Sequence, residues 1–359
     1  VTKPLHILIA TPLGKNGKGG IDRIMDELRA ALAQDPPLNL SVTFGTTRGP
    51  GSILLSPFYL LRFIARMLSL RLTGRLDLVH INLASYGSTW RKLIVAKIAS
   101  LTGLPYVINL HGGLYRDFWR KQNRLIQREI HSLFANAKRI IVLGEVWKNF
   151  VIQSVPETQD RVIILPNATR RSPRVQCNST QAPMILFLGR VSAGKGVPQL
   201  IEALGQLKSL PNWTAVIAGD GDLKTARARI SELGLTDRVE LPGWIDSAGV
   251  TALMDKAAIL TLPSFDENLP MSVIEGMAAG LAVVATPVGA IEDILTDGEN
   301  GLLVPPGDVL ALSTALHQLI NNPALRQQLG AAAADFHRQH LDIDVYAQKL
   351  LKIWNQSAS

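Results

Sequence analysis

Cysteine is almost absent. The 359-residue chain has one, Cys177, so no disulfide can close within it and no cysteine cluster can hold a metal. This excludes a disulfide-stapled scaffold and suits a reducing compartment. Aromatic residues are scarce too, at 6% of the chain. Surfaces that bind single-stranded nucleic acid interleave basic and aromatic residues, so the low aromatic content argues against nucleic acid as a partner. Long unbroken apolar runs are also missing. The longest, Ile53–Leu72, is interrupted by Pro57, Arg62, Arg66 and Arg71. It falls short of the roughly 20 apolar residues a spanning helix needs. The apolar run at 7–10 ends before Pro12 and is too short for the core of a secretory leader. The expectation is a protein that is neither secreted nor integral to a membrane.

Acidic residues are scarce in one half only. Residues 1–180 carry 25 Lys+Arg against 10 Asp+Glu, while residues 181–359 carry 12 against 19. A net +8 therefore hides a basic first half and an acidic second half. Such a split points to an anionic surface or ligand on the first half. Arg116, Arg120, Arg124 and Arg128 recur every four residues, which on one helix would place them on one face. They form either a solvated helix surface or an anion-facing wall. The apolar segment carrying Arg62 and Arg66 reads as an interfacial helix or an ordinary packed one.

What the chain does have is the composition of a globular protein, 47% apolar and 18% charged, and a length that suits two domains. Near-continuous apolar runs at 5–10, 40–44, 76–81, 106–110, 139–143 and 162–165 predict strands covered on both faces. Amphipathic patterns at 21–32, 89–101 and 123–134 predict helices between them. The polar, proline-flanked stretch 166–183 reads as a linker. The alternation then restarts, with strands at 184–188, 214–218, 239–241, 258–262, 282–285 and 302–304, and helices at 309–320 and 345–354. Two successive βα series predict an α/β protein of two doubly wound domains, each with a ligand crevice at the carboxyl ends of its strands. Two such crevices facing one another would enclose a sizeable ligand.

Several segments carry chemistry. Gly14 to Gly20 is a glycine-rich loop between the first strand and a helix, where backbone N–H groups can approach an anion. It matches neither the dinucleotide fingerprint nor the P-loop, and a flexible turn is the plain alternative. His111-Gly112-Gly113 stands at the carboxyl end of a strand. In the second half, Gly189-Arg190 and Lys195-Gly196 flank a phosphate-sized site. Asp220 and Asp222 suit a metal less well than a turn, with Asp222 near a helix N-cap. The stretch from Pro263 to Gly280 holds Glu267 after a strand, Pro270 in the first turn of a helix and Glu275 inside it. Two acids at that spacing can address two parts of one elongated ligand.

At this last segment the chain resembles glycosyltransferase family 4, the retaining GT-B enzymes. Glu267 and Glu275 match its E-x7-E motif. Gly19-Gly20-x-x-Arg23, His111-Gly112, Gly189-Arg190, Lys195-Gly196, Gly219-Asp220-Gly221, Leu241-Pro242-Gly243 and Asn300-Gly301-Leu302-Leu303 agree in order. One departure is Pro166-Asn167-Ala168-Thr169-Arg170, where members often have Pro-Asn-Gly-Val-Asp. The resemblance implies a GT-B fold with an acceptor-binding domain over 1–170 and a nucleotide-sugar-binding domain over 171–341. It also implies a last helix, about 342–357, that returns to the first domain.

The same resemblance implies roles. Gly19 and Gly20 would approach the donor phosphates or the acceptor, and His111 the transferred sugar. Arg190 and Lys195, with Gly189 and Gly219 in their loops, would hold the diphosphate. Glu267 and the amides near Asn268, Leu269 and Pro270 would bind sugar and phosphate, and Glu275 the ribose. No metal and no cofactor are expected, because Arg190 and Lys195 supply the positive charge. The expected partners are a nucleotide-sugar donor, a lipid-linked or glycan acceptor and an anionic membrane surface. Arg62, Arg66, Arg116, Arg120 and Arg124 are candidates for the last two. The expected place is the cytoplasm, peripheral on the inner face of the plasma membrane, in bacterial surface-polysaccharide assembly. A sugar-nucleotide epimerase on a similar scaffold is the alternative, and it would need no acceptor.

Overall fold

The computed structural model describes residues 4–15, 17, 19–37, 39–172 and 182–358. The middle of the expected linker, 173–181 with Cys177, lies outside them. The chain divides into two compact units, Val1–Ala168 with Ile343–Ser359, and Thr169–Asp342.

The first unit runs β1 (Leu5–Thr11), α1 (Gly20–Gln34), β2 (Leu40–Thr46), α2 (Ser56–Leu72), β3 (Leu78–Leu83), α3 (Gly87–Leu101), β4 (Tyr106–Leu110), α4 (Tyr115–Arg120), α5 (Arg124–Ala135), β5 (Arg139–Val142), α6 (Glu145–Ser154) and β6 (Val162–Ile164). Its six strands are all parallel, in the order β2-β1-β3-β4-β5-β6. The order reverses between β1 and β3, which is where doubly wound sheets bind ligands. β3 and β4 are wholly buried, as a sheet covered on both faces requires.

The second unit runs β7 (Met184–Leu188), α7 (Val197–Gln206), β8 (Thr214–Ala218), α8 (Leu223–Glu232), β9 (Val239–Gly243), α9 (Ser247–Lys256), β10 (Ile259–Leu262), α10 (Met271–Ala278), β11 (Ala282–Ala285), β12 (Leu302–Leu303), α11 (Val309–Asn321) and α12 (Pro323–Phe336). The sheet order is β12-β11-β10-β7-β8-β9, again parallel, and its switch point lies between β7 and β10. The expected α/β class and doubly wound topology are present in each unit.

The last helix, α13 (Ile343–Ala358), belongs to the first unit and packs on α1, β1, β3 and β4. Its buried residues Ile343, Tyr346, Ala347, Leu350, Ile353, Trp354 and Ser357 form one stripe at helical spacing. Two polar bonds fix it. Trp354 Nε1 donates to His80 Nδ1 at 3.1 Å, and Asn109 Nδ2 donates to the Tyr346 hydroxyl at 3.3 Å.

Three expectations need correction. The four arginines do not share a helix. α4 ends at Arg120, and Asn123 starts α5 by accepting the Ile126 N–H, so Arg116 and Arg120 are set apart from Arg124 and Arg128. The first residues of the expected linker are not a free spacer, although Arg170 and Arg171 are exposed. Thr169 pairs with the Leu341 carbonyl and the His337 ring, and Arg171 forms an ion pair with Asp342. Finally, Ile53–Leu72 is, by length and composition, long and apolar enough to cross a membrane, and only 17% of it is buried. Its arginines therefore do not exclude it on those grounds.

Candidate active site

In the second unit the chemistry gathers at the switch point between β7 and β10. β7 hands the chain to Gly189 and the exposed Arg190, and a short 3₁₀ turn, Ala193–Lys195, delivers Lys195. Gly196 then takes a left-handed conformation with φ 70°, and a Cβ there would lie 1.9 Å from the Pro263 carbonyl oxygen. Only glycine allows that approach. Phe265 N–H donates to the Gly194 carbonyl at 3.0 Å, so the loops after β7 and β10 are laced together.

The lacing brings Lys195 Nζ to Glu267 Oε1 at 2.5 Å. The same carboxylate oxygen accepts from Ser264 Oγ at 2.8 Å. Ser264 is fully buried, and its carbonyl accepts from Thr286 Oγ1 at 2.6 Å. Glu267 is 8% exposed, which is affordable only because a cation and a hydroxyl face it. In the sequence Ser264 carries no motif of its own, only a lone hydroxyl three residues before Glu267.

Neighbouring loops close on this cluster. Gly289, with φ 63°, lies where a Cβ would be 2.3 Å from the Glu267 carbonyl, and Ala290 N–H donates to the Asn268 carbonyl at 2.7 Å. Asn268 and Leu269 are buried. Pro270 is the N-cap of α10 in an extended conformation, one position before the helical first turn expected for it. α10 has no side-chain cap among the described residues, so its first N–H groups remain to receive a ligand oxygen. Glu275 sits half-buried one turn into α10. Gly219 is a packing glycine. A Cβ there would lie 1.7 Å from the Gly189 carbonyl, so it sets the spacing of the Arg190 loop. Asp222 caps α8 through the Thr225 N–H at 3.1 Å, as expected. Among the described residues no group of three or more His, Cys, Asp or Glu is arranged to hold a metal.

In the first unit the site residues follow β1, β3 and β4. Gly19 is the extended N-cap of α1, and Gly20 opens that helix; both are exposed. Asp22, in the first turn, accepts N–H bonds from Leu13 and Gly14 at 3.0 Å each and so shapes the glycine loop. Burial raises the pKa of its carboxyl. His111 continues the sheet by donating its N–H to the Leu83 carbonyl at 2.8 Å. Its Nε2 lies 2.8 Å from Asn82 Oδ1, while Asn82 Nδ2 donates to the Ala10 carbonyl at 3.3 Å. The amide oxygen must therefore accept, so Nε2 carries the proton and Nδ1 keeps its lone pair. Burial, and secondarily the charge on His80, lower the His111 pKa to about 3. The imidazole is neutral in all ordinary conditions. Asn82 escaped the sequence analysis because the predicted strand stopped at residue 81, whereas β3 extends to Leu83. His80 and Asn82, two apart in an apolar strand, were the available signal.

Residues 170–336 match the family described as glycosyl transferases group 1, and residues 22–168 match the glycosyl transferase 4-like domain. The chain belongs to glycosyltransferase family 4. This glycosyltransferase is 35% identical over 178 residues to the phosphatidyl-myo-inositol mannosyltransferase of Mycobacterium leprae, a match covering 49% of its chain and 47% of that enzyme. It is 26% identical over 334 residues to the 2-deoxystreptamine N-acetyl-D-glucosaminyltransferase of Streptomyces fradiae, covering 87% and 77%. Among solved structures, a glycosyltransferase from Rickettsia africae superposes with a TM-score of 0.78 at 18% identity, over 99% of both chains. Anabaena HepE in complex with UDP-glucose superposes with a TM-score of 0.74 at 20% identity, over 97% and 98%. These likenesses establish the GT-B fold, with its two Rossmann-like domains.

Proposed function

We propose that this glycosyltransferase is a retaining hexosyltransferase. It moves a sugar from a UDP-sugar or GDP-mannose to a lipid-linked or polysaccharide acceptor in bacterial surface-glycan assembly. The observation that carries the reading is the Lys195–Glu267–Ser264 cluster at the switch point of the second sheet, with Arg190 on the same loop after β7 as Lys195 and the N-terminus of α10 close in sequence. Anabaena HepE, of the same fold, binds UDP-glucose.

Lys195 and Arg190 face the donor diphosphate and stabilise the charge that develops as the nucleotide departs. Their charge supports a reaction that needs no metal. Glu267 Oε1 already accepts from Lys195 and Ser264, so the carboxylate suits a fixed acceptor for sugar hydroxyls better than a nucleophile. That favours substitution on the face the leaving group vacates, with the departing diphosphate taking the acceptor proton. Neutral His111 offers a lone pair to the transferred sugar and no proton. Glu275 holds the ribose. Replacing it by Ala is expected to weaken UDP binding about tenfold, by roughly 1.4 kcal/mol, with an unchanged melting curve.

The membrane part of the proposal rests on α2 and the short turn before it. Ile53, Leu54, Leu55, Phe58 and Leu61 are more than half exposed, and the exposed Arg62 and Arg66 lie beside them. Apolar side chains ringed by cations suit an anionic bilayer surface, here the cytoplasmic face of the plasma membrane.

Calorimetric titration with UDP-glucose, UDP-N-acetylglucosamine, UDP-galactose and GDP-mannose, with and without EDTA, tests the donor assignment. One donor should bind in both conditions, and its product should keep the anomeric configuration by NMR. Binding abolished by EDTA, or an inverted product, would refute the corresponding part. Flotation with anionic liposomes should fall as salt rises, and binding indifferent to lipid charge would remove the interfacial role.

A further inference from the structure

The donor cluster leaves a second set of cations unused, in the first unit. Thr47 and Arg48 follow β2, and Arg91 and Lys92 lie early in α3, which follows β3. These two segments meet at the carboxyl edge of the sheet. Lys92 Nζ donates to Thr47 Oγ1 at 2.5 Å. Thr47 is itself tied by its N–H and its hydroxyl to the Thr11 carbonyl at the end of β1. Lys92 is fully buried, so the segment bearing Arg91 is anchored against the one bearing Arg48.

The charges in this cluster do not cancel. Arg48 and Arg91 are both half-buried, and burial first, then the positive charge of Arg48, disfavours the charge on Arg91. Among the described residues neither guanidinium has a carboxylate partner. Asp22 acts on Lys92 from nearby, with Oδ1 accepting from the Leu13 and Gly14 amides and Oδ2 buried without a hydrogen-bond partner among the described residues, so one carboxylate stands against three cations. Arg91 Nε is closed to solvent and has no hydrogen-bond partner among the described residues. A buried donor left unspent between like charges marks a site that an anion completes. Guanidinium forks match phosphate oxygens two at a time.

A second observation lies at the same edge. Tyr86, between β3 and α3, is held at φ 58°, a region unfavourable for a side chain of its size. Strain of this kind gathers at ligand sites. The residue is 59% exposed, and its ring packs edge-on against Phe118 with centroids 5.2 Å apart. Arg91 lies close to Gly87, the residue after Tyr86, where a Cβ would sit 3.2 Å from its Nη1.

We propose that Arg48 and Arg91, braced by Lys92 and Thr47, bind the phosphate or diphosphate of a phosphorylated glycosyl acceptor, with Tyr86 packing against the group that phosphate carries. This rests on the assignment of the acceptor to the first unit. It adds that the acceptor must be an anion.

Calorimetry on the full chain tests it, with inorganic pyrophosphate as the probe and saturating UDP to occupy the donor cluster. R48Q/R91Q is expected to weaken pyrophosphate at least tenfold and leave UDP affinity unchanged. R48K/R91K, which keeps charge but loses the fork, should fall between the two and guards against a folding defect, checked by melting. Unchanged pyrophosphate affinity in R48Q/R91Q would overturn the proposal. An equal loss of UDP affinity would also overturn it by giving the arginines to the donor. If the unaltered chain bound no UDP, the donor assignment would fail separately, and R190Q/K195Q would then isolate the pyrophosphate event. Farnesyl diphosphate distinguishes the source of the phosphate. It should bind more tightly than pyrophosphate, with the gain lost in Tyr86→Ala. Equal affinities would overturn the acceptor assignment and leave a site for free phosphate.

Discussion

Two hydrogen bonds decide what His111 can do, one from its Nε2 to Asn82 and one from Asn82 onward to the Ala10 carbonyl. Asn82→Ala removes the anchor while leaving the ring in place. We expect kcat to fall about tenfold, roughly 1.4 kcal/mol, with the donor KM nearly unchanged. Asn82→Asp sets a carboxylate against the same nitrogen and raises the His111 pKa. Its pH–rate profile should then gain an ionisation that the unaltered enzyme lacks. Lys195 and Glu267 form the other residue-scale unit. Lys195→Ala leaves a buried carboxylate with Ser264 alone, and Glu267→Gln leaves the lysine without its acid. A double-mutant cycle on melting stability should show coupling of about 1.5–3 kcal/mol, because each single change already loses the charge-assisted bond. Additive losses would mean that the pair does not form. Glu267, Lys195 and His111 stand out in the sequence as motif residues of the candidate site. Asn82 and Ser264 do not, because their contacts are to partners 29 and 3 residues away that only the folded chain brings into contact.

At the scale of elements, α13 shows how a distant segment completes a sheet. Trp354 is fully buried and is both an apolar plug and a donor to His80, with the two rings edge-on at 5.8 Å. Trp354→Ala is expected to destabilise the first unit by about 3–5 kcal/mol and barely affect the second, read as a split in the unfolding transition. Helix and strand periods placed most elements within two residues, since β4, β7, β8 and β11 are short apolar runs between clear breakers. The break between α4 and α5 was not visible from arginine spacing. A four-residue spacing of one residue type continues in the sequence whether or not a turn interrupts the helix, and here Asn123 caps a new helix between Arg120 and Arg124. The alanine-rich run of α12, 331–334, has little amphipathic signature, so helix periodicity does not mark it.

For the whole molecule, three histidines with lowered pKa values, the buried His80 and His337 and the partly buried His111, make stability depend on acidity. Burial lowers His80 and His337 to about 4 and His111 to about 3. Unfolded, each would titrate near 6.5. Between these values the unfolded chain binds protons that the folded chain refuses, so stability falls as pH drops from about 6.5 toward 4. Each group contributes about 1.4 kcal/mol per pH unit. Two of the three lie in the first unit, which should therefore lose stability about twice as steeply as the second. Melting curves at pH 7, 6 and 5 check this, and parallel losses would refute it. Lys92, lowered to about 7 by burial and then by Arg91, acts on the alkaline side. The unfolded chain alone keeps that proton between about 7 and 10.5, so stability rises with pH across that window.

The sequence by itself determined the α/β class, the two βα series, the family and the motif residues that make up the candidate site. These depend on local periodicity, on strand ends and on residue types that recur at set spacings. Tertiary structure alone decided which of those residues touch. Backbone approaches permitted at Gly196, Gly219 and Gly289 bring Lys195, Ser264 and Glu267 together. The buried Lys92–Thr47 contact gathers Arg48 and Arg91 from separate turns of the chain. Such contacts join residues far apart in sequence, and no local pattern encodes a distance in space.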